Sequence, residues 1–402
     1  MRRVVITGMG IICSAGRNRE EFLESLRLGR SGITRIEGSD ICDLRFQTGG
    51  EVKDFVATDH MSPKAADMID RFAQFAVVAA REAVTHSGIE LTDELRDTSA
   101  IITGSCVGGQ ATENQGFYDV YKMGKTRVHP MTIPKTMANA GASAISLEYG
   151  ITGPSFTIAT ACSSSAHALG LAFMTIRSGM CDFAISGGSE APFSYGLLKA
   201  WEAMRVVSPT VCRPFSRDRN GMTLGEGSAM LTLEALDHAL ARGAKPIAEI
   251  VGFGMSADAH HITQPSAEGA AKALRIAMKD AGIGPEQVGY VNAHGTGTTA
   301  NDATETKALH LAFGAHAEKL AISSTKAMHG HTLGAAGAIE STAAILALTN
   351  DFAPPTINFN ERDPECDLDY VPNRSRAVSF EYSLSNSFAF GGLNAVLAFR
   401  RI

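Results

Sequence analysis

Apolar residues in this chain fall into short unbroken runs that alternate with longer stretches of helical spacing. RRVVITGM at the start predicts a buried strand, and NREEFLESLRLG a helix closed by glycine. DMIDRFAQFAVVAAREAVTHSG predicts one long amphipathic helix, again closed by glycine. SAIITGS then predicts a strand, PKTMANAGASAISLEYG a helix of small residues, and PSFTIATA a strand rich in β-branched side chains. SSSAHALGLAFMTIRSG has little polar face and is expected to be a buried helix. DFAISGGSE and SAMLTLEAL complete this part as strands. After ARGAKPIAEIVGFGMS the alternation begins again, through AEGAAKALRIAMKDAG, VGYVNAHG, DATETKALHLAFG, KLAISSTK and HTLGAAGAIESTAAILALTND. YSLSNSFAFGG and NAVLAFRR close it as a pair. The class expected is α/β with mainly parallel, buried sheets.

The second half echoes the first. TIATACSSSAHALGLAFMTIRSG and AISSTKAMHGHTLGAAGAIESTAAILAL both read as strand, sharp turn and small-residue helix. A duplication with its seam near residues 243 to 248 is the economical reading, giving halves of 1–245 and 246–402. A chance likeness between two α/β units is the alternative at this point.

Composition narrows the classes. The 402 residues carry a net charge of −6, which argues against a nucleic-acid partner, and no apolar run is long enough to span a bilayer. MRRVVITGMG turns to glycine too early for a signal peptide. Seven scattered cysteines without a CxxC pair fit a reduced, cytoplasmic protein with no cysteine zinc site.

One cysteine stands apart. In TACSSSAHALG, Cys162 lies between a strand and a small-residue helix, the setting of a nucleophile elbow. The partial positive charge at a helix start, worth about 1–2 kcal/mol, is expected to lower the thiol pKa from about 8.5 toward 7. A buried structural thiol fits the same context. VNAHGTGTTANDATETKA ends a strand at His294, and STKAMHGHTLGAAGAIE ends another with Lys326 and His331. Three such strand-end turns are where α/β folds build sites.

At these residues the chain resembles the β-ketoacyl-acyl-carrier-protein synthases of the thiolase superfamily, especially the elongating type II branch. GSCVGG, GPSFTIATACSSSAH, ISGGSE, CRPFSRDRNGMTLGEGSA, NAHGTGT, SSTKAMHGHTLGAAGA and NSFAFGGLNA carry the likeness over essentially the whole chain. KAWEAMRVVSPTVCRPFS and NAVLAFRR also resemble the rhizobial nodulation protein E subgroup. The resemblance implies a thiolase-like fold of two duplicated halves in α-β-α-β-α layers. It implies that Cys162 takes an acyl group from an acyl carrier protein, and that His294 and His331 serve decarboxylation of malonyl carrier. It further implies backbone N–H groups of Cys162 and Phe390 as an oxyanion hole, Lys326 and Glu305 as a buried ion pair, and Phe390 as a gate. Thr296 and Thr298 would bind the carrier's phosphopantetheine arm, and Val107 would line the far acyl pocket. No metal or other cofactor is implied, and the assembly implied is a homodimer with a sheet continuous across it.

Three departures from the family pattern point toward a dedicated carrier and an unusual chain. Val107 stands where isoleucine is frequent, MSPKAADMID holds Lys64 as its one base with Asp67 and Met68 beside it, and Leu393 replaces a threonine. Rival readings are weaker. A degradative thiolase needs a second cysteine near NSFAFGG, and initiating synthases have asparagine where His331 stands. A noncatalytic chain-length factor lacks the cysteine. GMGIICSAG lacks the third glycine of a dinucleotide site.

Overall fold

The computed structural model describes residues 1–402. Ten strands form its main sheet. In chain order they are β1 (Val4–Cys13), β2 (Ala100–Gly104), β3 (Ser155–Ile158), β4 (Phe183–Glu190) and β5 (Gly227–Ala235), then β6 (Ala248–Ala257), β7 (Val288–Asn292), β8 (Ala321–Ser323), β9 (Tyr382–Ala389) and β10 (Leu393–Arg401). Their order across the sheet is β8-β7-β9-β10-β6-β1-β5-β4-β2-β3. Reading outward from the middle, β6-β10-β9-β7-β8 repeats β1-β5-β4-β2-β3 strand for strand. The two five-strand arrays meet where Val4, Val5 and Ile6 pair with Ile250, Glu249 and Ala248.

Six helices repeat as well: α1 (Arg71–Ser87), α2 (Ala140–Tyr149) and α3 (Ser164–Arg177), then α4 (Ala267–Ala281), α5 (Thr299–Phe313) and α6 (Ala336–Thr349). α1 and α2 cover one array and α4 and α5 the other, while α3 and α6 pack against each other between them. The Ala338 N–H of α6 donates to Ser165 Oγ of α3 at 2.9 Å. These central helices lack a polar face because both sides are covered, and α6 is buried from Ala336 to Leu348. Leu169 and Phe173 of α3 join Ile339 and Ile345 of α6 in the largest apolar cluster, each stabilising the fold by about 1.5–3 kcal/mol. The layers run α-β-α-β-α, as the resemblance implied. No helix is long and apolar enough to cross a membrane.

Three details differ from the sequence reading. The sheet is mixed, not mainly parallel: β8–β7, β7–β9, β4–β2 and β2–β3 are parallel, and the other junctions antiparallel. Strands buried on both faces show no alternation, so their pattern carries no direction. β9 and β10 are antiparallel because a tight turn joins them, with Gly391 and Gly392 at φ 81° and 70°. The long helix expected from Asp67 onward breaks at Ile69: Pro63–Met68 is separate, and Asp70 caps α1 by accepting from the Phe72 N–H. The helix expected across PKTMANAGASAISLEYG likewise splits into Thr132–Thr136 and α2.

Candidate active site

Two corners face each other at the centre of the molecule. In the first, Ala161 takes a left-handed conformation (φ 49°), which costs an alanine about 1–2 kcal/mol, and the chain turns at Cys162 into α3. The corner is pinned by the Ser164 hydroxyl, which accepts from the Thr160 N–H at 2.9 Å and donates to the Ala161 carbonyl at 2.6 Å. In the second, Leu333 has φ 48° and the chain turns at Gly334 into α6. The first corner is the elbow expected at Cys162, and the second is the sharp turn expected before a small-residue helix. Only the first carries a cysteine.

A cavity of about 400 Å³ opens onto Cys162. His294, His331, Thr296, Thr298 and Phe390 line it with the cysteine, so side chains distant in sequence converge. Val107 is not part of that lining. Its loop lies behind, where Glu190 accepts from the Val107 N–H at 3.3 Å.

The two imidazoles are buried, with ring centroids 5.4 Å apart and planes at 85°. Lys326 Nζ lies 3.2 Å from His294 Nδ1 and also donates to the His294 carbonyl at 2.6 Å. On His331, Nδ1 accepts from the Leu333 N–H at 3.3 Å, while Nε2 has no protein partner. Since an ammonium and an amide can only donate, both Nδ1 atoms are acceptors and each neutral ring carries its proton on Nε2. Burial, and then the Lys326 charge, hold both histidines well below the ordinary imidazole pKa. The rings are therefore neutral N–H donors at physiological pH.

For Cys162 the expected balance is reversed. Burial pushes its thiol up to about 11, and the Lys326 charge with the backbone N–H groups of Phe390 and Cys162 only partly offsets this. The helix start is present, but desolvation outweighs its dipole. The sulfur rests as a thiol with two backbone donors beside it.

The implied Lys326–Glu305 ion pair is also corrected. Lys326 pairs with Glu340 of α6, both fully buried. Glu305 instead accepts from the His294 and Gly295 N–H groups at 2.8 and 2.7 Å and from Asn386 Nδ2 at 3.1 Å. It fixes the His294 turn through the backbone, and that geometry leaves its oxygens committed. The signal for Glu340 was in the sequence, as the one charged residue of AGAIESTAAILALT. Thr298 caps α5 and its hydroxyl lies 2.9 Å from that of Thr296. The Phe390 ring stacks on Trp201 at 6.2 Å, a partner that sequence reasoning missed. No three His, Cys, Asp or Glu side chains are grouped to hold a metal ion.

The sequence pattern of the β-ketoacyl synthase N-terminal domain matches residues 1–239, and that of the C-terminal domain residues 247–360. The chain belongs to the β-ketoacyl synthase family. It is 44% identical to nodulation protein E of Rhizobium sp. (strain N33) over the full length of both proteins. It is 42% identical to 3-oxoacyl-[acyl-carrier-protein] synthase 2 of Synechocystis sp., covering all of this chain and 98% of that one. Among solved structures, a β-ketoacyl synthase from Burkholderia phymatum superposes with TM-score 0.93 at 34% identity over the whole of both chains. The ishigamide ketosynthase/chain length factor superposes at 0.95 with 37% identity, covering all of this chain and 99% of that one. Against this family background, a Cys-His-His set around one cavity places this β-ketoacyl synthase among chains equipped for chemistry.

Proposed function

We propose that the protein is a β-ketoacyl-acyl-carrier-protein synthase that extends acyl chains by two carbons through decarboxylating Claisen condensation. Residues 1–245 supply the nucleophile and residues 246–402 the two histidines. Cys162 attacks an acyl-carrier thioester: a new C–S bond forms, and the pantetheine sulfur leaves with the proton that Cys162 gives up. A malonyl carrier then enters, its arm held by Thr296 and Thr298. Its carboxylate leaves as CO2 and the bonding pair passes into an enolate, whose oxygen accepts from Nε2–H of His294 and His331. Donors that stay neutral stabilise the enolate without protonating it. The enolate carbon attacks the acyl carbonyl on Cys162, with the oxyanion held by the N–H groups of Cys162 and Phe390. The C–S bond breaks and the thiolate regains a proton from water, as its high pKa favours.

The observation that carries this reading is the partnerless Nε2 of His331, buried in a cavity shared with His294 and Cys162. Lys326 is a positioning residue that sets the His294 tautomer, and Glu305 holds the turn beneath that ring. The partners are acyl carrier proteins bearing acyl and malonyl groups, with phosphopantetheine arriving on the carrier, and the chain itself needs no cofactor. We place it in the cytoplasm as a homodimer; β3 is the free end of the sheet and exposes Phe156. Asp67 favours a second reading with a specialised carrier and acyl chain. On the exposed Pro63–Met68 helix, its carboxylate contacts His129 at 3.1 Å and its carbonyl accepts from Lys135 at 3.0 Å, adding an acid where a carrier's acidic surface would need bases. Incubation with a radiolabelled acyl-carrier thioester is expected to label Cys162 alone. Label on any other residue would overturn the assignment, and a panel of carriers separates the two readings.

A further inference from the structure

Glu190, the last residue of β4, is fully buried and takes no part in the chemistry above. No cation pairs with it. Its carboxylate instead accepts from Ser105 Oγ at 2.9 Å, the Cys106 N–H at 2.8 Å, the Val107 N–H at 3.3 Å and the Gly334 N–H at 3.0 Å. The first three donors belong to the loop after β2 in one half. The fourth belongs to the elbow after His331 in the other.

The two loops touch through backbone. A Cβ built on Gly334 would lie 2.4 Å from Glu190 Oε2 and 2.6 Å from the Cys106 nitrogen, so only glycine fits. One residue earlier, Leu333 donates its N–H to His331 Nδ1 at 3.3 Å. On the other side, Cys106 packs on the apolar cluster of Leu198, Met222 and Leu333 beside Trp201, and both Trp201 and Met222 line the reaction cavity. One carboxylate therefore joins the apolar wall behind the thiol to the loop that aims the His331 ring. A buried carboxylate without a cation is retained only when charge-assisted donors surround it, and such bonds are about twice as strong as neutral ones.

We propose that Glu190 is a positioning residue that holds the Ser105–Val107 loop and the His331 elbow in one frame, so that acyl-chain selection and malonyl decarboxylation are set together. This inference rests on the condensing reading. Glu190→Gln keeps the shape but turns an amide N–H₂ against N–H donors. Malonyl-carrier decarboxylation is measured per Cys162 titrated with radiolabelled acyl carrier, alongside the range of acyl lengths accepted. In the variant, decarboxylation per titrated site is expected to fall by about tenfold to a hundredfold, and the accepted acyl range to broaden with it. Ser105→Ala removes one bond on the loop side and is expected to shift the acyl range with a smaller fall in rate. A purely structural role would reduce the number of titratable sites while each site kept its rate and acyl range; that result, in Glu190→Gln or in Ser105→Ala should the first not fold, overturns the inference. Failure of the wild type to label at Cys162 would instead count against the condensing reading.

Discussion

Cys162 and Gly334 occupy equivalent corners of the two halves. Each follows a residue with positive φ, and each leads two residues later into a central helix. One corner presents a sulfur to the cavity. The other has no side chain, its glycine packed against Glu190 and Cys106 of the opposite half. The loops after β2 and β7 make a parallel contrast: both have N–H groups gathered by a buried glutamate, Glu190 at Cys106 and Val107, Glu305 at His294 and Gly295. A duplicated frame thus keeps its backbone devices in both copies while its chemistry separates. On the proposed reading, the nucleophile stands in the first half and the two histidines that serve decarboxylation in the second.

The largest expected effect probes the buried ion pair of the second half, Lys326 with Glu340. Lys326→Met leaves Glu340 buried without its cation and should cost about 3–5 kcal/mol of stability in denaturant unfolding. Lys326→Met with Glu340→Leu should recover most of that stability while decarboxylation stays impaired, since His294 Nδ1 has lost its donor. Full activity in the double variant would show that the lysine serves folding only. Next, His294→Ala and His331→Ala should each slow malonyl decarboxylation by about 10²–10³-fold, the effect of removing one oxyanion donor. Acyl labelling of Cys162 should remain within a few-fold in both. An equal loss in the two assays would erase the division between the halves.

The smallest effect separates the halves by pH. The histidine pKa values are depressed, so lowering pH from 8 to 6 leaves both rings neutral, and single-turnover decarboxylation should be nearly flat across that window. The thiol pKa is raised, so its reactive form is scarce at pH 7 and grows with pH. Alkylation of Cys162 by iodoacetamide should rise roughly tenfold per unit between pH 7 and 9. A plateau near pH 7 would mean that the sulfur is far less desolvated than its surroundings indicate.

Much of this arrangement is legible in the sequence. Cys162 and His294 each follow closely on an apolar strand, His331 lies beyond the short helix Lys326–His329 that follows β8, and the cavity gathers all three. The small, unfaced helices announce a layer covered on both sides. Strand direction is not legible, because β1, β5 and β10 are buried on both faces and carry no alternation. The partner of Lys326 is only half legible, for Glu340 stands out as the one charge of its helix without being singled out as the partner. Glu305 and Glu340 are both acids on helices beside the histidine turns, and only packing brings Glu340 to the ammonium. The thiol pKa fails for a similar reason: a helix start can be read locally, whereas desolvation depends on every layer around it.

The hairpin at Gly391–Gly392 ties two events to one residue. Phe390 carries on its side chain the ring that rests on Trp201, and on its backbone the N–H beside the Cys162 sulfur. A backbone swing that clears the ring from the passage also withdraws the donor from the sulfur. On the proposed condensing reading, such a swing would leave the oxyanion cradle incomplete while the entrance stood open, whereas rotation of the ring alone would keep the donor in place.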